Sequence, residues 1–312
     1  MPATKNEYEV VDYTSLKDVK VFVVDIAYRT PHMHKEFELC LVLSGSVRVS
    51  SRQDIWTFAA GSFFLVNTHQ VHEIQALDGA AQIVSLQVSP KCFERFFPQI
   101  GLVEFDHVDI DRCLPGEEGI TLRARMLALA LAYFGKGPCY EFACHALVCE
   151  LFRLLMTLVP WHFITEREKS KKIVRSDRID RIVSYVEEHF TEKVLLADLV
   201  EREQLTLSYL SHFFKDNLNM SFQRFVALLR FDEARRLVER TDMNITDVCL
   251  TCGFSDYRYL NKIFLEKLGC TPAQYRTRSK PSGRLLEDED KRSRQRFYPE
   301  SLSIEILKRA MG

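Results

Sequence analysis

The chain has 312 residues, of which 46% are hydrophobic, with 42 basic and 43 acidic side chains. This length suits two domains of ~100–200 residues each, and the composition excludes a chain that is mainly disordered, fibrous or of low complexity. The formal net charge of −1 excludes a global field that attracts nucleic acid or anionic membranes, so any such binding must be local.

Cysteine usage and the start of the sequence together predict a cytoplasmic protein. The nine cysteines are an odd number, and the first twelve residues are charged where a signal peptide has an apolar stretch. Free thiols in a reducing compartment are therefore expected. The most apolar stretch, 126–163, is interrupted by charged residues such as Lys136 and Glu150, so no membrane span is predicted.

From Val10 to Pro98, short runs of β-branched and aromatic residues alternate with turn residues such as Gly45 and Gly61. This close spacing is typical of an antiparallel sandwich or barrel. The predicted strands are Val19–Tyr28, Phe37–Leu43, Ser46–Ser50, Ile55–Phe58, Phe63–Val66, His72–Gln75 and Ala81–Val88.

After Pro115 the apolar residues recur every three or four positions, which predicts two helices within Leu122–Val159. Their wide apolar stripe suits either a dimer contact or a layer that covers the barrel. The polar run 166–176 predicts a linker, with Ser176 as the N-cap of the next helix. The predicted organisation is a domain at 10–165, the linker 166–176, a helical domain at 177–280, and a partly disordered tail at 281–312 with a helix from about Ser303 to Met311.

The helical domain contains two similar stretches about fifty residues apart, Leu196–Phe214 and Ile245–Phe264. In each, a short amphipathic helix meets a turn, and a capping residue, Thr206 or Asp256, then opens a second helix. This is the plan of a helix-turn-helix unit, whose second helix can enter the major groove. Residues 178–280 hold 16 basic and 15 acidic side chains, so a plain helical bundle with solvated faces is the alternative.

The helix predicted over Ser221–Arg240 would hold the two units apart. If their separation is ~34 Å, both second helices enter successive major grooves on one side of the duplex. Arginine can bond guanine and asparagine can bond adenine, which favours the second unit as the base reader. The predicted DNA-binding residues are Ser208, Ser211, His212 and Lys215 in the first unit, and Tyr257, Arg258, Asn261 and Lys262 in the second.

The run Gly253-Phe254-Ser-Asp-x-x-Tyr259-Leu260-x-x-x-Phe264, followed by Gly269-Cys-Thr-Pro272-x-x-Tyr275-Arg276, resembles the signature of the AraC/XylS family of bacterial transcription regulators. Arg230-x-x-x-Ala234-x-x-Leu237 is similar to the linker helix of that family. The resemblance covers about residues 179–276. It implies a homodimer that binds operator DNA, responds to a small-molecule effector and can contact RNA polymerase.

The sequence departs from the family pattern in both units. Val200 and Cys249 stand where the family has a small alanine, and Gln204 stands where the first turn often has glycine. Leu265 replaces a frequent lysine, which removes one phosphate contact. Cys249 and Cys252 have the spacing of a zinc or redox motif, but no further ligands lie at matching spacing, so buried thiols are expected.

A second group of polar residues lies within the predicted strands: His32, His34, Glu38 and His72. The sequence places His32 and His34 on one face of a strand, with Glu38 four residues beyond and His72 on a later strand. The spacing resembles the two motifs of cupins, although Ile26 occupies the place of a glycine in the first motif. The same fold forms the effector domain of many AraC-type regulators. Three interpretations stay open: an effector pocket for a sugar or small acid, a structural hydrogen-bond network, and a site for divalent Zn, Mn, Fe or Ni.

The resulting fold class is α+β multidomain, with an N-terminal cupin-like β-barrel carrying a helical pair and a C-terminal all-α tandem helix-turn-helix domain. The predicted function is sequence-specific transcription regulation in response to an effector, and the predicted partner is double-stranded DNA. No enzymatic activity is expected, and no cofactor is firmly implied beyond the candidate metal. The rival hypothesis is a metal-dependent cupin dioxygenase or isomerase with an accessory helical domain. A ligand-binding module joined to a protein-interaction bundle is a third.

Overall fold

The computed structural model describes residues 16–51, 54–114, 116–194, 196–218, 220–278 and 294–311. The predictions for residues 1–15 and 281–293, including the charged N-terminus and the first part of the predicted tail, lie outside these ranges. Within the described residues, contacts separate two compact units, one formed by 16–177 together with 294–311 and the other by 178–278. No helix among the described residues is long and apolar enough to span a membrane.

Alternating apolar residues in the first unit form an antiparallel β-barrel, because every second side chain of a strand points to the same face. Its strands are β1 (Val19–His32), β2 (Phe37–Ser44), β3 (Ser46–Ser51), β4 (Asp54–Ala59), β5 (Phe63–Val66), β6 (His72–Ala76) and β7 (Ala81–Val88). They follow the spatial order β4-β3-β6-β1-β7-β2-β5. All seven predicted strands are present. The largest difference in bounds is at β1, which continues to His32 where the prediction ended at Tyr28.

Two apolar cores lie on opposite faces of these strands. One fills the barrel interior with residues such as Val24, Val42 and Phe64. The other lies between the outer face and the helices α1 (Glu117–Gly135) and α2 (Tyr140–Leu158). The apolar stripes of both predicted helices are therefore buried as a layer over the barrel, with Met126 and Leu151 fully enclosed. The short strands β8 (Val103–Phe105) and β9 (Trp161–Phe163) pair beside this layer.

The segment 166–176, predicted as a linker, is helical and forms the first part of α3 (Glu166–His189). Thr165 and Glu168 start this helix as a capping box: the Thr165 hydroxyl accepts from the Glu168 N–H at 3.2 Å, and the Glu168 carboxylate accepts from the Thr165 N–H at 2.8 Å. The prediction of Ser176 as an N-cap is therefore wrong. Ser176 lies inside α3, buried, and its hydroxyl contacts His69.

The second unit is all-helical, as predicted. Its described residues form the end of α3 and six further helices: α4 (Leu196–Glu203), α5 (Leu207–Leu218), α6 (Phe222–Arg240), α7 (Ile245–Thr251), α8 (Tyr257–Leu268) and α9 (Pro272–Arg278). Helix α6 begins at the Ser221 N-cap, whose hydroxyl accepts from the Arg224 N–H at 3.2 Å. Its inward residues, among them Phe231 and Ala234, pack against Phe264 of α8.

The last described residues return to the first unit. Strand β10 (Arg294–Phe297) pairs with β1, and helix α10 (Glu300–Met311) packs on α1 with Leu307 fully buried. Residues 294–311, which the sequence assigned to a partly disordered tail, are therefore ordered, and the predicted helix starts earlier, at Glu300. Pairing with β10 satisfies backbone groups of β1 that would otherwise form an open edge.

Candidate functional site

The barrel interior is apolar at one end and polar at the other. Val24 and Ile26 of β1 and Val42 of β2 line the apolar end. Farther along the same inward faces, strand alternation brings a set of buried polar side chains together at the other end. These are His32 of β1, Glu38 of β2, His72 of β6, and Ser85 and Gln87 of β7.

The structure brings the four predicted residues together, although not with the predicted local geometry. His32 ends β1 and lies opposite His72 in the antiparallel register, with 4.1 Å between their ring centroids. His34 lies in the connection between β1 and β2, so the prediction that both histidines share a strand is wrong. Its ring still turns inward, and its Nε2 lies 2.9 Å from Glu38 Oε2.

Glu38 is at the centre of this polar cluster. His72 Nε2 lies 3.3 Å from the same carboxylate oxygen as His34, and the Ser85 hydroxyl donates to the other oxygen. Burial raises the pKa of Glu38, but the hydrogen bond with His34 and the nearby His72 imidazole outweigh it and hold the pKa well below its ordinary value. Burial also lowers the pKa of His32 well below 6.5. Sequence reasoning missed Ser85, whose only signal is its position two residues after the inward Ile83.

One subset of the cluster suits a metal ion. His32, Glu38 and His72 each offer a ligand atom, and these atoms lie within 4.8 Å of one another, a grouping that occurs nowhere else among the described residues. Two imidazole nitrogens and one carboxylate suit Zn²⁺ and other divalent first-row metals.

The cysteine pair of the helical unit does not form such a group. Cys249 and Cys252 are buried in the core of that unit, and burial raises the pKa of the Cys252 thiol to about 12.

The second candidate site is the repeated pair of helices in the other unit. Helices α4 and α5 form the first copy, and α7 and α8 form the second. The first helix of each copy ends with an equivalent backbone hydrogen bond to a residue five positions earlier. The Leu205 N–H donates to the Val200 carbonyl at 3.2 Å, and the Phe254 N–H donates to the Cys249 carbonyl at 3.0 Å. Matching backbone hydrogen bonds show that the sequence repeat is also a structural repeat.

The residue before each of these donors has a left-handed backbone. Gly253 has φ +78°, and a Cβ there would lie 2.3 Å from the carbonyl oxygen of Thr191. Gln204 occupies the equivalent position with φ +53°, a conformation that is strained for a residue with a side chain. The first turn therefore has the geometry of the second in spite of the missing glycine.

Both predicted N-caps are present, Thr206 at the start of α5 and Asp256 at the start of α8. The Thr206 hydroxyl accepts from the Tyr209 N–H at 3.2 Å, and the Asp256 carboxylate accepts from the Arg258 N–H at 2.7 Å. Asp256 also binds the guanidinium of Arg258, with 2.8 Å between Oδ2 and Nη2, and this bond raises the pKa of Arg258. The sequence suggested only the capping role of Asp256.

The predicted DNA-binding residues lie on the outer faces of α5 and α8, with one difference between them. In α5, all four are exposed: Ser208, Ser211, His212 and Lys215. In α8, Tyr257, Arg258 and Lys262 are exposed, and the Arg258 side chain is 87% accessible. Asn261 is half-buried, and its Oδ1 makes no hydrogen bond to any described residue.

Two arginines of the signature motifs hold the helices around α6. Arg230 donates from Nε to the Phe190 carbonyl at 2.6 Å, and Arg276 donates from Nε to the Val238 carbonyl at 3.2 Å. Carbonyls at helix ends lack partners within their helix, so these bonds satisfy groups that would otherwise be left open. The motif residues therefore have an architectural role.

Two family models match this chain. The AraC-like ligand binding domain matches residues 25–124, and a helix-turn-helix domain matches residues 199–278. Among curated proteins, a transcriptional activator named RhaR from Mannheimia succiniciproducens is 26% identical over 114 residues, which are 36% of this chain and 41% of the relative. An uncharacterized helix-turn-helix regulator of Staphylococcus aureus is 24% identical over 235 residues, 75% of this chain and 30% of the relative. The chain thus spans less than half the length of these relatives.

Solved structures with similarity include ToxT of Vibrio cholerae O395, at 13% identity and a TM-score of 0.39, covering 85% of this chain and 99% of ToxT. The DNA-binding domain of AdpA, solved in complex with a target DNA, has 25% identity and a TM-score of 0.31, covering 33% of this chain and 96% of that domain.

Proposed function

Since the chain belongs to the AraC family of transcriptional regulators, we propose that the whole protein is a sequence-specific, effector-responsive regulator whose helical unit binds operator DNA. The observation that carries this proposal is the duplicated helix-turn-helix, with matching turns and N-caps and with polar outer faces on α5 and α8, the proposed recognition helices. A plain bundle needs no repeat of this kind.

Helix α6 separates the two recognition helices along the chain. Its 19 residues correspond to ~28 Å of helix, close to the ~34 Å of one turn of B-DNA. In the proposed complex, α5 and α8 enter successive major grooves on one side of the duplex. Lys215 contacts a phosphate, and the guanidinium of Arg258 leaves the Asp256 carboxylate and binds the edge of a guanine base.

The polar end of the barrel interior is the proposed effector site. His32, His34, Glu38 and His72 supply hydrogen-bonding groups next to an apolar wall, which suits a small acid or a sugar. Effector binding would favour one arrangement of the protein and so change its DNA affinity or its contact with RNA polymerase. The proposal includes a homodimer in the cytoplasm and no enzymatic turnover.

A selection of random duplexes by the full chain tests the DNA-binding proposal. The expected result is a recurring sequence bound at least ~10³-fold more tightly than a shuffled duplex at physiological salt. Asn261→Ala should reduce this ratio, whereas Glu201→Ala, a change at an exposed residue of α4 that is not among the predicted DNA-binding residues, serves as the control. Equal affinity for all duplexes would refute the proposal.

A further inference from the structure

An apolar groove of about 290 Å³ lies at the surface of the barrel unit, formed by α2 and by the turns that follow β7. Phe93, Phe96 and Phe97 line it together with Cys149 and Met156 of α2. Among the described residues that line it, only Arg153 is charged. Phe96 is 67% exposed although it lies beside the buried Phe93. Exposed apolar surfaces that cluster in this way mark interaction sites, and we call this one the phenylalanine groove.

The first described residues of the chain lie next to this groove. Leu16 is buried in the same apolar core as Phe93 and Phe152. Two residues later, the carbonyl of Asp18 accepts a hydrogen bond from the Ser89 N–H at 2.9 Å. Ser89 in turn caps the short helical turn that leads to Phe93. The chain that precedes Leu16 therefore starts within a few residues' reach of the groove.

Cys92 connects these first residues with the α2 side of the groove. Its Sγ lies 3.7 Å from Nδ1 of His145, a residue of α2. Burial raises the pKa of the Cys92 thiol to about 12, and the nearby Cys149 and Asp18 add to this rise. Asp18 and the groove residue Cys149 are therefore both neighbours of Cys92.

The sequence before Leu16 has a composition that suits this groove. Residues 8–13 read Tyr-Glu-Val-Val-Asp-Tyr, a mixture of β-branched, aromatic and acidic side chains. The exposed charges of 90–97 and of the groove lining are three cations and one anion: Lys91, Arg95 and Arg153, against Glu94. An acidic, apolar segment is thus complementary to the groove in both charge and polarity. Three residues separate Tyr13 from Leu16, which corresponds to ~10 Å of extended chain.

We propose that residues 8–13 bind in the phenylalanine groove of their own chain, with apolar side chains against Phe96 and carboxylates toward Lys91, Arg95 and Arg153. So short a connection gives an effective concentration in the millimolar range. The segment therefore occupies the groove ahead of a second copy of the chain at micromolar protein concentrations. A partner that uses this face of α2 has to displace the segment first. The proposal concerns the barrel unit alone and does not depend on DNA binding.

Disulfide trapping in the full chain tests this proposal. Val10→Cys and Val11→Cys place a thiol on either side of an extended segment, and Cys149 in the groove is the native partner. After oxidation of a dilute sample with diamide, mass spectrometry should find an intrachain disulfide to Cys149 in at least one variant. The exposed Cys139, at the N-terminus of α2, should react at least ~10-fold more slowly. A link to Cys149 that is absent, or that forms no faster than the link to Cys139, overturns the proposal.

Phe96→Asp and Phe142→Asp are a matched pair of variants for the same assay. Both phenylalanines are exposed, at 67% and 79%, so neither change disturbs a buried core, but only Phe96 lines the groove. In the variant that cross-links, Phe96→Asp should slow disulfide formation at least ~10-fold, because the segment loses an apolar contact. Phe142→Asp should leave the rate unchanged, and both variants should retain the cooperative unfolding of the parent chain. Equal rates in the two variants refute the proposal. A Cys149 disulfide between two chains, together with a dimer that Phe96→Asp converts to a monomer, refutes it as well, since a second copy then occupies the groove.

Discussion

Replacing Gln204 by glycine should stabilise the first helix-turn-helix unit. Gln204 is exposed and has φ +53°, so its side chain contributes backbone strain and little packing. A left-handed backbone costs a residue with a side chain ~1–2 kcal/mol, and glycine at this position would relieve that strain. Part of the relief is offset, because glycine also increases the conformational entropy of the unfolded chain. The expected net gain is about 1 kcal/mol, equivalent to a roughly fivefold change in an opening equilibrium.

Hydrogen exchange of the full chain, followed by mass spectrometry, measures this gain locally. Peptides covering α4 and α5 should exchange about fivefold more slowly in Gln204→Gly. Glu201→Gly, an exposed change inside α4, is the matched control and should speed exchange, because glycine weakens a helix interior by ~1 kcal/mol. Gly253→Ala should also have the opposite effect, in α7 and α8, since its Cβ meets the Thr191 backbone. Faster exchange in Gln204→Gly would refute the strain argument.

Three further predictions concern DNA contact, pH and the C-terminal segment. Arg258→Ala should lower affinity for a selected duplex about 10- to 100-fold and relax the preference at one base position. Lys215→Ala should instead weaken binding to all duplexes and reduce the slope of log affinity against log salt concentration by ~1. Equal losses for Arg258→Ala on specific and random DNA would contradict this assignment. Burial, with a contribution from Lys35, lowers the pKa of His69 to about 4 from 6.5. Between these values the unfolded chain binds a proton that the folded chain does not, so the free energy of unfolding should fall as pH decreases from 6.5 to 4. His69→Asn, which tolerates the same positive φ, should flatten that decrease in urea unfolding at several pH values. Leu307→Ala should destabilise the barrel unit by ~2–5 kcal/mol, measured by tryptophan fluorescence during unfolding, and an unchanged midpoint would mean that α10 is not part of its core.

Local patterns were sufficient to predict most of the elements. The strands from Val19 to Val88 follow from period-two alternation and turn residues, and the recognition helices follow from the caps Thr206 and Asp256. The start of α3 was also readable, because Thr165 and Glu168 have capping-box spacing, but the charged residues after them suggested a linker.

Long-range pairing could not be predicted in this way. Strand β10 pairs with β1 across more than 260 residues of sequence, and nothing local in Arg294–Phe297 indicates its partner. The same limit applies to the polar cluster: spacing singled out His32, Glu38 and His72, but the convergence of Ser85 on Glu38 depends on the β2–β7 register. Likewise, the pairing of Arg258 with Asp256 depends on side-chain conformations that spacing does not specify.

Hydroxyl-radical footprinting of the full chain on a selected duplex tests most directly whether α5 and α8 read neighbouring grooves. If they do, two protected patches are expected on one face of the DNA, about one helical turn (~10 base pairs) apart, and Arg258→Ala should weaken protection in one patch only. A single patch, patches on opposite faces, or no protection above that of a shuffled duplex would contradict it.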